Sequence, residues 1–326
     1  MTLPSLSIVL PCHNEEAVLG DTLDVLDALT KAWLGERVSA CEYVLVNNGS
    51  TDNTIEVMRQ AQSRYATIVV VDLRRNFGYQ GSISAGLHHA RGDAVVTIDA
   101  DLQDDPEKIG EMLDQFSQGY ELVLGVRSRR DSDSILKRVF SQTYYRILEL
   151  VGVDSVYNHG EFRLMSRALV EEFCALEESN RYIRGLVLHL ESRYATVAYE
   201  RRPRKKGETK FSPSRLIALA LDGVTSFSSV PIRLVTATGM VMFAVAMALL
   251  CYVGYVILWT RYDVPGWASI ATIVLFFSGV QIFFLGVVGE YIAKIYIETK
   301  RRPVFTVRSV QRTTASAKQS ATGDHS

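Results

Sequence analysis

The sequence predicts an α/β catalytic domain built on a mainly parallel sheet, followed by a hairpin of two membrane-spanning helices. Three observations point there. Short β-rich runs alternate with charged amphipathic stretches from Ser5 to about Gly125, unusual polar clusters close four of those runs, and two long uncharged segments lie near the C-terminus.

The β-rich runs are LSIVLPC, YVLVNN, TIVVVDL, AVVTIDA and ELVLGV, and the stretches between them include EEAVLGDTLDVLDALTKAW, STDNTIEVMRQAQSRY and DPEKIGEMLDQFSQ. Such alternation builds βαβ units and a sheet covered on both faces. Ligands of such sheets bind beyond the carboxyl ends of the strands. PCHNEE follows the first run, NNGSTD the second, RRNFGYQ the third and DADLQDD the fourth, so one pocket is expected to collect all of them. Residues 126 to about 200 read as a mixed extension, with a helix around Ile135–Val151, a turn at VYNHGEF, further helices and the run YATVAYE. The catalytic domain is therefore expected over 1–200.

A basic, flexible loop, ERRPRKKGETKFSPS, comes next, and RLIALALDGVTSFSSVPIR has the broken apolar spacing of helices lying on a membrane surface; together they occupy 201–232. Leu234–Thr260 and Trp267–Gly289 carry no charge, and each exceeds the roughly 20 residues that span a bilayer. Buried core helices rarely run so long without charge. Joined by RYDVPGW, they form a membrane hairpin within 233–292. Arg201, Arg202, Arg204, Lys205, Lys206, Lys210, Arg215 and Arg233 precede the hairpin, Lys294, Lys300, Arg301 and Arg302 follow it, and the tip holds only Arg261. The positive-inside rule then puts the catalytic domain and both termini on the cytoplasmic side of a multi-pass inner-membrane protein. Residues 293–326 form a cytoplasmic tail whose end, VQRTTASAKQSATGDHS after Arg308, is expected to be disordered.

Other function classes are disfavoured. A formal net charge of -1 argues against nucleic acid. Four widely spaced cysteines offer neither a disulfide framework nor metal-ligand spacing and fit a reducing cytoplasm. MTLPSLSIVLPCHNEE has no basic leader and too short an apolar run for a signal peptide.

Asp99 and Asp101 close a strand, where a tight turn can aim both carboxylates at one point. Hard divalent ions such as Mg²⁺ or Mn²⁺ take oxygen ligands and complete their shells with phosphates, which suits a nucleotide diphosphate. The alternative is an acidic turn capping the next helix, with Asp104 or Asp105 ahead of Pro106. In NNGSTDNT, amides can read a base edge while Gly49 permits the turn; equally, Ser50, Thr51 or Asp52 caps a helix. Glu15 or Glu16 either holds a ribose hydroxyl or starts a helix. Glu161 is either a functional carboxylate or a structural one. Gly207 among cations makes the basic loop either an anchor or a phosphate clamp.

As an ordered set, PCHNEE, NNGSTD, LRRNFGYQGSISAGLHHARGD, TIDADLQDDPE, GEFRLMSR and RKKGETKF, followed by two spans, resemble the family 2 polyprenyl-phosphate glycosyltransferases. That group includes dolichol-phosphate mannose synthases and bacterial undecaprenyl-phosphate glucosyltransferases, and the likeness covers residues 5 to 300 or so. The resemblance implies a GT-A (Rossmann-like) fold, a nucleotide-sugar donor, a Mg²⁺ or Mn²⁺ cofactor and a polyprenyl phosphate acceptor. It also implies site residues. Pro11, His13 and Glu15 line the nucleotide pocket, and Asn47 and Asn48 stand where the family often has Asp-Asp. Asp99, Ala100 and Asp101 form the metal and diphosphate motif, with Gln103 beside it. Arg127 meets the diphosphate or the acceptor, and Glu161 stands where many bacterial relatives carry aspartate. Arg204 and Lys210 fall in an Arg-x-x-Gly-x-Ser-Lys pattern with Thr209 for serine. Asp101, Glu161 and Arg127 are the catalytic candidates.

A phosphate monoester is already ionised near neutral pH, so such an acceptor scarcely needs a general base. The expected activity is inverting, metal-dependent transfer of a hexose, glucose first, from a nucleotide diphosphate (UDP first) to undecaprenyl phosphate at the cytoplasmic membrane face. A GDP-mannose donor is the alternative. A processive polysaccharide synthase is disfavoured, because two spans hardly build a translocation channel. A catalytically silent membrane scaffold is the reading of another class. Relatives of this kind can also assemble as homo-oligomers.

Overall fold

Runs such as LSIVLPC and TIVVVDL are apolar at nearly every position because the strands they form are covered on both faces. The computed structural model describes residues 2–65, 67–128, 156, 158–178, 181–201, 230–259 and 266–313. The expected helix around Ile135–Val151, the basic loop with Arg204 and Lys210, the membrane-surface helices before Val230, the hairpin tip with Arg261 and the residues after Thr313 lie outside this set. The described residues divide into two units, one comprising those up to 201 together with 301–313, the other 230–259 and 266–300.

In the first unit, β1 (Ser5–Cys12), β2 (Ala40–Asn47), β3 (Ile68–Leu73), β4 (Ala94–Thr97), β5 (Leu122–Arg127), β6 (His159–Ser166), β7 (Tyr194–Tyr199) and β8 (Val307–Arg312) form one sheet. Its order is β7-β5-β6-β4-β1-β2-β3-β8. β1 is parallel to β2 and β4, β2 to β3, and β5 to β7. β6 runs antiparallel between β4 and β5, and β8 antiparallel along β3. The sheet is thus mixed but mainly parallel, as the alternation predicts.

Helices α1 (Leu19–Trp33), α2 (Thr54–Arg64), α3 (Gly78–His89) and α4 (Lys108–Ser117) connect the first five strands, and α5 (Arg167–Ala175) and α6 (Ile183–Leu190) follow β6. α1 buries Leu19, Thr22, Leu23, Leu26, Thr30 and Trp33, the stripe of an amphipathic helix. α3 differs: every residue from Gly81 to Leu87 is buried. Its small side chains let the helix lie close on the sheet. A Cβ at Gly86 would sit 3.1 Å from Val46 Cγ2 and closer still to Val9 Cγ1. That close seat packs the C-terminal half of α3 directly on β1 and β2.

The C-terminal stretch departs from expectation. Ser309–Arg312, expected to be disordered, belongs to β8 and pairs with β3. Composition alone suggested too little apolar surface to order it. Ladder hydrogen bonds and two ion pairs, Arg308–Asp72 at 3.3 Å and Arg312–Glu42 at 2.7 Å, supply the missing stabilisation.

The second unit contains α7 (Val230–Trp259) and α8 (Trp267–Thr299). Among the described residues, Phe276–Thr299 is long and apolar enough to cross a bilayer. α8 continues past Gly289, where the uncharged segment ends. There Glu290, Lys294 and Glu298 recur at four-residue spacing, an arrangement that supports helix in a polar setting. With 33 residues at about 1.5 Å each, α8 is about 50 Å long, well beyond the ~30 Å hydrocarbon core.

Candidate active site

β1 lies between β2 and β4, so the connections leaving these strands diverge and open a crevice at their carboxyl ends. A cavity of about 300 Å³ occupies it. Pro11, Cys12, His13 and Glu15 enter from β1 and its loop, and Asn48 from the end of β2. Tyr79 and Ser82 come from α3. Asp99, Ala100, Asp101 and Gln103 come from the turn after β4, and Arg201 from the end of β7.

The acidic turn is fixed from several sides. Thr22 Oγ1 donates to the Ala100 carbonyl at 2.6 Å, and Gln103 N donates to Asp101 Oδ1 at 3.1 Å. Leu102 holds a left-handed backbone, φ 52°, a conformation costing an L-residue roughly 1–2 kcal/mol. The turn is therefore built at some expense. Tyr79 Oη donates to Asp99 Oδ1 at 2.5 Å. Burial pushes the Asp99 carboxyl up to about 6, opposed by the Tyr79 hydrogen bond and reinforced by Asp104, Asp101 and Glu161. Burial, with Asp99 and Glu161 nearby, also holds the Tyr79 phenol well above its ordinary range, so it remains a donor.

This turn gathers several carboxylates within a few residues. Buried Asp104 accepts from Tyr199 Oη at 2.7 Å through Oδ1 and has Arg127 Nη2 at 3.7 Å, while its Oδ2 is buried with no hydrogen-bond partner. Among the described residues no group of three or more His, Cys, Asp or Glu side chains converges on one point. Asp99 and Asp101, two oxygen donors two residues apart on one cavity wall, match an ion that takes one or two protein oxygens and leaves its other positions to phosphate and water. Asp99 and Asp101 thus fit Mg²⁺ or Mn²⁺.

Behind the cavity lies a cationic layer. Glu161 and fully buried Arg163 project from the same face of β6 and form an ion pair through Glu161 Oε2. Arg184 Nε donates to Glu161 Oε1 at 2.6 Å. Burial would raise the Glu161 carboxyl, but Arg163 and Arg184 hold it below the ordinary carboxylate range. Both oxygens are occupied, and the residue does not line the cavity. Arg127 donates from Nε to Tyr199 Oη at 3.1 Å and stands outside the lining.

The opposite wall is a lattice of amides. His13 Nδ1 lies 3.1 Å from the Asn48 carbonyl, and Nε2 lies 3.3 Å from Asn76 Nδ2; in the neutral ring this assigns the proton to Nδ1. Asn48 accepts from Phe77 N at 2.9 Å and donates to Gly78 O at 3.0 Å. Gly49, at φ +64°, lets the β2 loop approach, since a Cβ there would lie 2.5 Å from Asn76 N. Glu15 faces the cavity, whereas Glu16 accepts from Asn53 N at 2.8 Å at the start of α2. Asn47 points away: its amide donates to Asp72 Oδ1 at 2.8 Å and accepts from Ser50 N at 3.1 Å.

Of the sequence candidates, Pro11, His13, Glu15, Asn48, Asp99, Ala100, Asp101 and Gln103 meet in one cavity. Asn47, Arg127 and Glu161 stand behind or beside it, and Arg204 and Lys210 lie outside the described residues. Sequence reasoning did not single out Tyr79, Ser82, Arg163, Arg184 or Tyr199. Arg163 was within reach, because it follows Glu161 by two in a strand and must share its face. Tyr79 lies in RRNFGYQ, one of the four strand-end clusters expected at the pocket, and that placement was its signal.

Comparison with known proteins agrees on the class. Residues 7–174 match Glycosyl transferase family 2, and residues 230–295 match the GtrB C-terminal hairpin. The chain is 38% identical over 303 residues to the uncharacterized glycosyltransferase YkcC of Bacillus subtilis (strain 168), covering 93% of each. It is 34% identical to the prophage bactoprenol glucosyl transferase homolog of Escherichia coli (strain K12), covering 94% of this chain and 99% of that one. Identity to the bactoprenol glucosyl transferase of Shigella phage SfV is 35%, covering 93% and 98%.

Proposed function

The chain belongs to glycosyl transferase family 2 and is a glycosyltransferase, and from that premise we propose that it transfers a hexose, glucose first, from a nucleotide diphosphate to a polyprenyl phosphate. One observation carries the reading. The Asp99–Asp101 turn and the amide-rich wall of His13 and Asn48 share a single cavity, which suits a diphosphate at one end and a base at the other. The relatives named for bactoprenol glucosyl transfer, matched over nearly their whole length, support the lipid acceptor.

A charged acceptor phosphate attacks the anomeric carbon as the bond to the donor diphosphate breaks, and one such displacement inverts that centre. The protein therefore needs little proton transfer and much charge management. Asp99 and Asp101 would hold Mg²⁺ or Mn²⁺, which when bound supplies charge compensation for the departing diphosphate. Arg201, whose Nη2 donates to Gln103 Oε1 at 2.5 Å, stands on the cavity wall to meet phosphate oxygens. Glu161 is a positioning residue in this scheme: a carboxylate locked between two arginines is a poor proton acceptor. Arg127, Arg204 and Lys210 remain candidates for the acceptor phosphate.

The hairpin match and the apolar span in α8 support membrane attachment. The chain leaves the first unit for the second and returns to it at Arg301, ahead of β8, which supports an even number of crossings. Positive residues at the outer helix ends, Arg233, Lys300, Arg301 and Arg302, support a cytoplasmic active site.

The test is purified full-length protein in lipid nanodiscs with labelled UDP-glucose or GDP-mannose, undecaprenyl phosphate and Mg²⁺. A lipid-linked monosaccharide is expected, with UDP-glucose the better donor. A preference for GDP-mannose would correct the donor, and no turnover with any nucleotide sugar would favour the scaffold.

A further inference from the structure

The loop that follows β3, residues 74–78, forms part of the amide wall through Asn76 and Phe77, and it is gripped from both sides. From within, Asn48 bonds Phe77 N and Gly78 O. From outside, the chain returning from α8 takes hold: Arg74 N donates to the Thr306 carbonyl at 3.0 Å, and Arg308 Nη2 donates to the Arg74 carbonyl at 3.2 Å.

Arg308 also reaches Asp72 Oδ2 at 3.3 Å. Asp72 is 4% exposed, and among the described residues Arg308 is its ion-pair partner. Its other oxygen accepts from Asn47, whose own oxygen accepts from Ser50 N, and Ser50 Oγ accepts from Asn14 N beside His13. An unbroken chain of hydrogen bonds thus runs from β8 through Asp72 and Asn47 to the loops that frame the cavity. This also explains why Asn47, at the expected base-reading position, faces inward.

We infer that β8 is a strap for the nucleotide half of the site, with Arg308 the positioning residue that holds Asp72, Asn47 and the 74–78 loop in their binding arrangement. The inference deepens the proposed function and rests on it. A strand that merely covered the β3 edge would need its backbone pairing alone, whereas the strap needs the Arg308 side chain as well.

The experiment is titration calorimetry of UDP and of GDP, each with Mn²⁺, on the full-length protein in nanodiscs, beside donor kinetics and thermal unfolding. For Arg308→Met and Asp72→Asn, nucleotide Kd and donor KM are expected to rise about tenfold, equivalent to about 1.4 kcal/mol of binding, with kcat within about twofold. Arg308→Lys should recover part of the loss, and the double variant should lose no more than either single, because both remove one contact. If Arg308→Met fails to fold, Asp72→Asn, which keeps its size, carries the test. Wild-type protein that binds while both single variants bind equally well, whatever their unfolding temperatures, overturns the strap alone. Wild-type protein that binds neither nucleotide overturns the donor reading itself.

Discussion

The Tyr79 hydroxyl donates a 2.5 Å hydrogen bond to Asp99 Oδ1, tying the first turn of α3 to the acidic turn after β4. α3 is buried from Gly81 to Leu87, and Gly86 seats it closely against Val9 of β1 and Val46 of β2. A carboxylate proposed to bind a metal is thus oriented by a rigid second layer, the arrangement that tunes most such ligands. Tyr79→Phe is expected to weaken Mn²⁺ binding and lower kcat/KM by about tenfold, with a stability change of only about 1 kcal/mol. Mn²⁺ titration by electron paramagnetic resonance, beside turnover, checks both numbers.

Asp101 shapes its own turn, accepting from Gln103 N, and also faces the cavity. Asp101→Ala is expected to reduce turnover by about 100-fold or more while the protein still inserts and folds. Undiminished transfer, or wild-type transfer that persists in excess chelator, would remove the metal from the scheme.

Glu161 separates two roles cleanly. Its partner Arg163 is fully buried and would lose its counter-charge in Glu161→Gln. Breaking such a pair costs about 3–5 kcal/mol, so denaturant unfolding should show a large loss. If Glu161 only positions neighbours, the pH–rate profile of surviving enzyme keeps its wild-type shape. Loss of an ionisation limb with stability intact would instead make it the proton acceptor.

How much of this was legible in advance follows from what each feature depends on. β1 to β5 and their helices are written in local periodicity, and the strand-end clusters follow from the geometry of parallel sheets. That is why Asp99, Asp101, His13 and Asn48 could be gathered before any coordinates. β8 depends on a partner far away in sequence, Asp72 with Arg308 and Glu42 with Arg312, and a polar tail shows no trace of it. Asn47 failed for a related reason: strand alternation put it on the face of Asp72 rather than the cavity. Tyr79 lay within the RRNFGYQ cluster, but which residue of that cluster enters the cavity depends on how α3 packs on the sheet.

His159 gives the fold a pH dependence. Burial, then the nearby Arg163, Arg184 and Arg127, keep its ring well below the ordinary imidazole range, and Nε2 is buried without a hydrogen-bond partner. In the unfolded chain it titrates near its ordinary value of about 6.5. Below that pH the unfolded state binds more protons than the folded one, so stability falls as pH drops and recovers as it rises. His159→Gln is expected to flatten that slope below about pH 6.5, read from denaturant midpoints across pH. An unchanged slope would assign the dependence to other groups.

The pairing of β8 with β3 makes a topological demand. Both strands lie in one sheet, yet α7 and α8 stand between them in the chain, after Arg201 and before Arg301. A single crossing by α8 would leave residues 307–312 on the opposite side of the bilayer from β3, where no ladder could form. If α8 crosses, a second crossing is required between β3 and β8, and α7 is the described helix able to supply it. A reporter fused after residue 326 should therefore sit on the same side as one fused to the N-terminus, and a reporter placed between α7 and α8 on the other. With Lys300, Arg301 and Arg302 at the inner end, the shared side is expected to be the cytoplasm. Opposite locations for the two terminal reporters would rule out the hairpin together with the strap.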